Sequence, residues 1–183
     1  MDHSEPSDVN RRGKQSGTTA GDDVTSGTHE GAFPAGSLAL RQAVPADLAA
    51  LLALEETFPG DKLSRRAMRR HLASQNALCL VAHAGDRLLG YVLLLRRSDS
   101  PWQRLYSLVR AGDAPGGTGR RLLEAALDGA RQGSAKGVRL EVREDNTAAI
   151  RLYESLGFAL FATTDGYYED GARALRMALD FGA

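Results

Sequence analysis

A glycine-rich turn, Gly116-Gly117-Thr118-Gly119, precedes a long amphipathic pattern in the sequence. Glycines let the backbone approach a ligand closely, and the first N–H groups of the following helix have no intrahelical partners. Together with the helix dipole, these groups can bind an anion such as a pyrophosphate. Arg120 and Arg121 lie in the first turn, where cations oppose the dipole, and a nearby phosphate would explain them. Glycine turns before helices are common, so spacing alone leaves a plain tight turn as an alternative.

Two familiar phosphate-binding motifs do not match this turn. A Walker P-loop requires Gly-Lys-Ser/Thr, whereas the chain has Gly119-Arg120-Arg121. A dinucleotide-binding turn requires a third glycine three residues after Gly119, and Leu122 stands there. If the turn binds a phosphate, the ligand is therefore of another class.

A carboxylate and a phenol are the side chains that could transfer protons. Glu141 lies in the predicted strand Val138–Val142, and Tyr153 follows twelve residues later in a predicted helix. Taken alone, Glu141 is typical of a solvated strand carboxylate. Tyr153 is typical of a core tyrosine, because it shares an apolar stripe with Ile150 and Leu156. Their chemical roles depend on the surrounding motif.

The apolar pattern predicts the elements that must position these groups. The predicted strands are 38–41, 77–83, 88–96, 103–110, 138–142, 158–163 and 173–180. Helices are predicted after Pro45, after Ser64, after the glycine turn and from Asn146 to Leu156. The resulting order is β-αα-βββ-α-β-α-ββ. Neither a doubly wound sheet nor an all-β sandwich has this order of elements. We therefore expect an α/β protein of another architecture.

Composition separates the N-terminal segment from the rest of the chain. Residues 1–36 are rich in Ser, Thr, Gly and Asp and contain hardly any large apolar side chains. Such a segment cannot bury enough surface to offset the entropy lost on ordering. We predict a disordered tail at 1–36 and one folded domain at 37–183.

Charge and cysteine content limit the class of protein. Lys+Arg and Asp+Glu number 23 each, which argues against a general nucleic-acid binder. Cys79 is the only cysteine, and its apolar neighbours predict an inert core thiol. No apolar run approaches the ~18 residues needed to span a bilayer. The four histidines show no metal-ligand spacing. We expect a cytoplasmic protein without a metal, a nucleic-acid partner or a membrane partner.

The segment from Leu140 to Phe158, LEVREDNTAAIRLYESLGF, closely resembles the strand and cofactor-side helix of GNAT-superfamily N-acetyltransferases. Upstream, Tyr-Ser-Leu followed by Gly-x-Gly-x-x-Leu-Leu resembles that family's acetyl-CoA turn, at the expected distance. The similarity covers residues 38–180 in element order. Together with Gly166–Gly171, it points to the bacterial ribosomal-protein-alanine type of N-terminal acetyltransferase. It implies a mixed sheet that is splayed between the strands near 103–110 and 138–143.

The resemblance also implies roles for individual residues. Acetyl-CoA would lie in the splayed gap, with its pantetheine on the β-strand backbone and its pyrophosphate on the glycine turn. Glu141 would accept a proton from the acceptor amine, and Tyr153 would protonate the departing thiolate. A backbone N–H near Val109 would polarise the thioester carbonyl. The cofactor-binding residues that it implies are Leu108, Val109, Arg110, Gly116, Gly117, Thr118, Gly119, Arg120, Arg121 and Asn146.

One position departs from the family pattern. The turn usually begins with Arg or Gln, whereas Ala114 occupies that place here. A phosphate contact is then either lost or supplied by Arg110, Arg120 or Arg121.

The acceptor remains open at this stage. A peptide N-terminus, a small amine such as a polyamine, amino sugar or drug, and a non-catalytic CoA-binding module are the three possibilities. An exposed groove beside Tyr167 and Tyr168 would favour a peptide, and a closed acidic pocket would favour a small amine. The chain is expected to be a monomer or a homodimer.

The second predicted helix is crowded with cations. They either border the acceptor groove and favour an acidic acceptor, or form a solvated face that Glu55 and Glu56 balance. The cations are Lys62, Arg65, Arg66, Arg69 and Arg70.

Overall fold

The computed structural model describes residues 38–57 and 62–182. The tail predicted at 1–36 lies outside these residues. The described strands are β1 (Ala39–Gln42), β2 (Ala77–Ala84), β3 (Arg87–Leu95), β4 (Trp102–Arg110), β5 (Gly137–Arg143), β6 (Ala159–Thr164) and β7 (Ala174–Asp180). The described helices are α1 (Leu48–Glu56), α2 (Arg65–Leu72), α3 (Thr118–Gln132) and α4 (Thr147–Ser155), with a short 3-10 turn at Pro45–Asp47 before α1. The predicted order and α/β class are confirmed.

The strands form one mixed sheet in the order β1-β2-β3-β4-β5-β7-β6. All neighbours are antiparallel except β4 and β5, which run parallel. These two strands pair only where Trp102–Arg104 meets Gly137–Arg139. Beyond that point they separate and leave an open seam. The splay that the family resemblance implies is therefore present.

A bulge in β4 coincides with the start of this seam. Leu93 of β3 lies opposite Ser107, and Leu94 lies opposite Leu105, which leaves Tyr106 as an extra residue. A bulge bends its strand and increases the local twist. Here it bends β4 just beyond the last residue that pairs with β5.

The sheet has a hydrophobic cluster on each face. On one face α3 and α4 pack against β2–β5 through residues such as Leu122, Tyr153 and Leu140. On the other face α1 and α2 pack against β2–β4, with Leu51 and Met68 fully buried. The glycine turn and α4 thus share one core, while the first two helices belong to the other.

Strand β5 presents different residues to its two faces because side chains alternate along a strand. Val138, Leu140 and Val142 are buried towards α3 and α4. Arg139 and Glu141 therefore lie on the opposite face, beyond the area that α1 and α2 cover. This second face carries the candidate carboxylate.

The predicted Ser64 cap and the predicted burial of Cys79 are confirmed. The Ser64 hydroxyl accepts a hydrogen bond from the Ala67 N–H at 3.2 Å and so caps α2. Cys79 is buried, and burial raises the pKa of its thiol to about 12. Within residues 38–57 and 62–182, none of the helices is long and apolar enough to cross a bilayer.

Of the two carboxylates proposed to balance the cations of α2, Glu55 does not do so, because it is buried. Glu55 is 1% exposed, and its Oε2 accepts a hydrogen bond from the Leu63 N–H at 2.7 Å. The Tyr91 hydroxyl donates to its other carboxylate oxygen. Glu56 is exposed and pairs with Lys62. The four arginines of α2 are exposed, as a solvated face requires.

Candidate active site

The seam between β4 and β5 opens into a cavity of about 330 Å³. Its walls are the end of β4, the glycine turn and the inner face of α4. Seven predicted ligand-binding residues line it: Leu108, Val109, Arg110, Gly116, Gly117, Gly119 and Arg120. Ala148, Ala149, Leu152 and Tyr153 of α4 complete the lining. Sequence reasoning identified Tyr153 but not the three apolar neighbours, whose helical spacing indicates only a core face.

The end of β4 offers backbone groups to this cavity. On one edge, Leu108 and Arg110 lie in register with Val92 and Gly90 of β3. On the other edge β5 has already diverged, so the strand has no neighbour in the sheet. Its N–H and C=O groups must find partners elsewhere. An extended ligand with amide groups can therefore bind this edge as an added strand would.

The glycine turn has the backbone conformation that anion binding requires. Gly117 is the N-cap of α3 and has φ +84°, a left-handed conformation that suits glycine. The following N–H groups begin the helix without intrahelical acceptors, and the helix dipole adds positive potential there. Thr118 is fully buried, and its hydroxyl donates to the Pro115 carbonyl at 2.7 Å. Thr118 thus secures the turn and does not line the cavity.

The predicted arginines have different surroundings. Arg110 and Arg120 line the cavity, and Arg120 also forms an ion pair with Glu124 at 3.3 Å. Arg121 instead donates to the Leu38 carbonyl at 3.2 Å and is not part of the lining. Two of the three predicted cations therefore lie where a phosphate would bind.

Ala114 occupies a packed position in the loop between β4 and α3. Its side chain is 8% exposed and belongs to the core cluster of α1 and α2. The place that carries a polar residue in the family pattern is thus filled by core packing here. Any cationic contact to a phosphate must come from Arg110 or Arg120.

Tyr153 lies on the cavity wall and is 5% exposed. Its ring packs against Phe158, with the ring centroids 5.7 Å apart. Burial raises the pKa of the Tyr153 phenol, because the phenolate would lose its hydration. The phenol therefore stays protonated at neutral pH and is suited to donating a proton.

Asn146 has one satisfied and one unsatisfied polar atom. Its Oδ1 accepts a hydrogen bond from the Ala149 N–H at 3.1 Å and so caps α4. Its Nδ2 is buried without a hydrogen-bond partner among the described residues. A buried donor without an acceptor is costly, so a ligand that accepts from Nδ2 would be favoured. Asn146 can cap the helix and contact a ligand at once, although it is not part of the cavity lining.

Glu141 is held by a guanidinium that sequence reasoning missed. Arg104 approaches Oε2 of Glu141 with Nε at 2.9 Å and Nη2 at 2.8 Å. The same Nη2 donates to the Tyr167 hydroxyl at 3.1 Å. Arg176 lies 3.9 Å from the other carboxylate oxygen, Oε1. The signal for Arg104 in the sequence is a charged residue within a predicted strand.

The loop between β6 and β7 closes over Glu141. The rings of Tyr167 and Tyr168 meet edge to face at 5.2 Å, and Arg143 stacks on Tyr168 at 5.3 Å. The Tyr168 hydroxyl is buried without a partner among the described residues. Burial raises the pKa of Tyr168, and the negative forms of Tyr167, Glu141 and Tyr153 add to that shift. Through Tyr167, this loop is joined to the Arg104–Glu141 pair.

The charges around Glu141 are predominantly positive. Arg104 and Arg176 contact it directly, and Arg139 lies two residues before it on the same face of β5. Among the described residues, no group of three or more His, Cys, Asp or Glu side chains could hold a metal ion. The site thus combines a protonated phenol, an arginine-bound carboxylate and an anion-binding turn on the two sides of one seam.

Known proteins share this arrangement of elements. A family model described as an acetyltransferase (GNAT) domain matches residues 31–181. The N-alpha-acetyltransferase RimI of Mycobacterium tuberculosis is 40% identical over 121 residues, which are 63% of this chain and 74% of that protein. An N-alpha-acetyltransferase of Sulfurisphaera tokodaii is 31% identical over 139 residues, which are 69% of this chain and 80% of that protein.

A solved structure gives the same relationship. The ribosomal-protein-S18-alanine N-acetyltransferase from Escherichia coli superposes with a TM-score of 0.71 and 26% identity. The superposition covers 78% of this chain and 93% of the Escherichia coli chain. The splayed seam, the glycine turn and these matches agree, so the chain belongs to the GNAT acetyltransferase family and is an N-acetyltransferase whose acetyl donor is acetyl-CoA.

Proposed function

We propose that the enzyme acetylates the α-amine of a peptide or protein N-terminus by direct attack in a complex that holds both substrates. The observation that carries this proposal is the placement of Glu141 and Tyr153 on opposite faces of the β4–β5 seam. Arg104 and the Tyr167 hydroxyl bound the Glu141 side, and the cavity wall of α4 bounds the Tyr153 side. Glu141 on one face can accept a proton from the acceptor amine, and Tyr153 on the other face can donate a proton to the thiolate of the donor.

The donor binds along β4 and the glycine turn. Acetyl-CoA supplies a thioester whose acetyl group is ready for transfer to an amine. The free edge of Leu108–Arg110 pairs with the pantetheine, and the amides after Gly117 bind the pyrophosphate with Arg110 and Arg120 nearby. Asn146 directs its unpaired Nδ2 towards the pantetheine. A backbone N–H beside Val109 on the free edge of β4 polarises the thioester carbonyl.

Glu141 acts as the proton acceptor, directly or through one water. An N-terminal α-amine has a pKa of ~7.7–8.0, so only a weakly retained proton must be removed at neutral pH. Arg104 holds Oε2, whereas Oε1 has a looser contact with Arg176 at 3.9 Å. Oε1 is therefore the oxygen that can turn to the substrate.

Tyr153 acts as the proton donor to the departing thiolate. It lies on the cavity wall where the thioester end of the donor must reach. Burial keeps its phenol protonated at neutral pH, so the proton is in place when the thiolate departs. No covalent intermediate on the enzyme is required, because the amine attacks the thioester directly.

The charge beside Glu141 favours a peptide over a polycationic small amine. Arg104 and Arg176 contact the carboxylate, and Arg139 lies two residues away on the same face of β5, so the site is not the acidic pocket that a polyamine or amino sugar would need. A peptide presents one cationic group, its N-terminus, followed by a neutral backbone. The relatives named as N-alpha-acetyltransferases support the same assignment.

A matched set of acceptors tests the proposal. Acetyl transfer is measured by mass spectrometry for a lysine-free peptide with a free N-terminal alanine, for the same peptide with a blocked N-terminus and an internal lysine, and for spermidine. We expect rapid transfer to the first acceptor and transfer at least about 100-fold slower to the other two, because each presents a more strongly protonated amine. Preferred acetylation of the lysine or of spermidine would overturn the assignment.

A further inference from the structure

Three arginines and one carboxylate share the open face of β4, β5 and β7. Arg104 of β4 lies in register with Arg139 of β5, and Arg176 of β7 lies in register with Glu141. Like charges directly opposite each other on neighbouring strands are destabilising. Glu141 compensates one of the three positive charges, so two remain uncompensated at this place.

Arg139 makes no ion pair with a carboxylate in the part of the chain that the structure describes. Its guanidinium lies 4.1 Å from the centroid of the Trp102 ring and 5.3 Å from that of Phe161. The residue is exposed. The two rings hold the guanidinium in place without neutralising it.

Phe161 is brought to this face by a bulge in the edge strand β6. Leu160 lies opposite Met177 and Ala162 lies opposite Arg176, which leaves Phe161 as an extra residue. Its ring is 46% exposed and lies 5.1 Å from the Arg176 guanidinium. Phe161 therefore contacts both Arg139 and Arg176. We call the surface formed by Trp102, Arg104, Arg139, Phe161 and Arg176 the arginine platform.

Small residues keep the platform shallow. Ala178 lies in register with Arg139, and Ala159 lies in register with Ala178 on the next strand. Ala162 lies opposite Arg176. An extended chain can therefore lie across β7 and β6 beside the two guanidiniums.

The neighbouring arginines on this side of the protein are neutralised by carboxylates. Farther along the same sheet, Arg143 pairs with Asp145 and Asp170. Arg173 pairs with Asp165 and with Glu144. These arginines have carboxylate partners from the chain itself, whereas Arg139 does not.

We propose that the arginine platform binds an acidic side chain at the second or third residue of the acceptor peptide. This inference rests on the proposed function, because it places the acceptor amine at Glu141. Arg139 lies two residues from Glu141, or roughly 6.6 Å along the strand. An extended peptide advances by about the same distance over two residues. Asp or Glu near the N-terminus then meets Arg139 and Arg176 while the amine reaches the carboxylate.

Three peptides that differ at one position test this assignment. They begin with Ala and carry Asp, Asn or Lys at the third residue, and a second set carries the same residues at position two. In at least one of the two sets, we expect kcat/KM for the Asp peptide to exceed that for the Asn peptide by about fivefold, the ratio that a partly exposed charge pair supplies. The Lys peptide should be the poorest. The Asp/Asn ratio of kcat/KM should fall towards one in high salt, because the charge pair between the peptide and the platform is solvent-accessible.

Variants connect the preference to the platform. Arg139→Gln and Arg176→Gln should each bring the Asp/Asn ratio below about twofold, and Arg139→Glu should favour the Lys peptide. Arg97→Gln is the matched control, since Arg97 is exposed in the β3–β4 loop and pairs with Asp99. It removes one positive charge and should keep the full ratio.

The outcomes are distinct. Acetylation of all peptides at equal rates would overturn the subsite and leave the proposed function intact. Transfer to spermidine without transfer to any peptide would overturn both. A ratio that persists in Arg139→Gln and Arg176→Gln would place the selectivity elsewhere, for example on α2. A platform that held a second copy of the chain would give no Asp preference and a changed sedimentation coefficient for Arg139→Gln, which would also overturn the assignment.

Discussion

Arg104 holds one carboxylate oxygen of Glu141 with two guanidinium nitrogens, Nε at 2.9 Å and Nη2 at 2.8 Å. Two contacts to one oxygen orient the carboxylate about its own axis. The second oxygen, Oε1, is left facing Arg176 at 3.9 Å. The pair therefore fixes the direction in which Glu141 can accept a proton, and Arg104 is a positioning residue for the proposed base.

Glu141→Gln should lose proton acceptance while keeping an oxygen for Arg104. We expect kcat/KM at pH 7 to fall by about 10²-fold or more. The loss should shrink by pH 9, because the α-amine, with a pKa of ~7.7–8.0, is then largely neutral without help. A pH–rate profile of both enzymes checks this, and an equal loss at both pH values would argue against a role as base.

Tyr153→Phe should lower kcat without preventing donor binding. The phenol is the proposed acid, and such a proton transfer contributes about 10²–10⁴-fold. The ring itself should still pack on Phe158 and the cavity wall. Acetyl-CoA at 100 times its dissociation constant should stabilise both proteins by about 2.7 kcal/mol, which a thermal-shift titration detects. A variant with full kcat would exclude Tyr153 as the acid.

Gly117→Ala should destabilise the protein, whereas Gly116→Ala should not. Gly117 has φ +84°, and a side chain in the left-handed region costs about 1–2 kcal/mol. Gly116 has no such conformation, and a Cβ there would meet no atom within 4 Å. Urea unfolding of the two variants without ligand measures the difference. Equal free energies of unfolding for the two variants would contradict the expected strain from a side chain at position 117.

Glu55→Ala should destabilise the protein far more than Glu56→Ala. The Leu63 N–H and the Tyr91 hydroxyl would each lose a buried acceptor, at about 1–3 kcal/mol per group. Glu56 is exposed with its partner Lys62, so its replacement should change stability by no more than about 0.5 kcal/mol. Chemical denaturation compares them directly, and similar values would contradict the buried network.

Asp47 should make stability depend on pH in the acid range. The hydrogen bonds from Arg41 are the main cause that lowers the pKa of Asp47, and the Val44 N–H adds to it. A carboxyl whose pKa is lower in the folded state stabilises the protein above its unfolded pKa of ~3.9. That contribution disappears as the pH falls through the folded pKa. The stability difference between wild type and Asp47→Asn should therefore be constant above about pH 5 and shrink below about pH 4. A difference that stays constant down to pH 2 would contradict the shift.

The sequence predicts the elements because their signals are local. Leu122 and Leu123 follow the glycine turn with helical spacing, and both are fully buried in α3. The alternation of Val138, Leu140 and Val142 predicts which face of β5 is buried. In each case neighbouring residues carry the pattern, so no knowledge of distant contacts is needed.

The features that the sequence could not supply depend on contacts between distant residues. Arg104 and Glu141 are 37 positions apart in the sequence, and they meet because β4 and β5 are neighbours in the sheet. Glu55 and Glu56 are adjacent and chemically identical, yet the helix places one in the core and the other in solvent. The position of Tyr106 as a bulge depends on the register with β3. Local propensity carries no information about any of these.

The bulge at Tyr106 has a consequence for how the donor enters. Since β4 turns away from β5 within its own backbone, the wedge between the strands is set by the strand registers themselves. No hydrogen bonds between β4 and β5 have to be broken to admit the pantetheine, so no binding energy is needed to separate the two strands. Acetyl-CoA can then bind at a rate set by diffusional encounter, without a preceding slow conformational change of the protein.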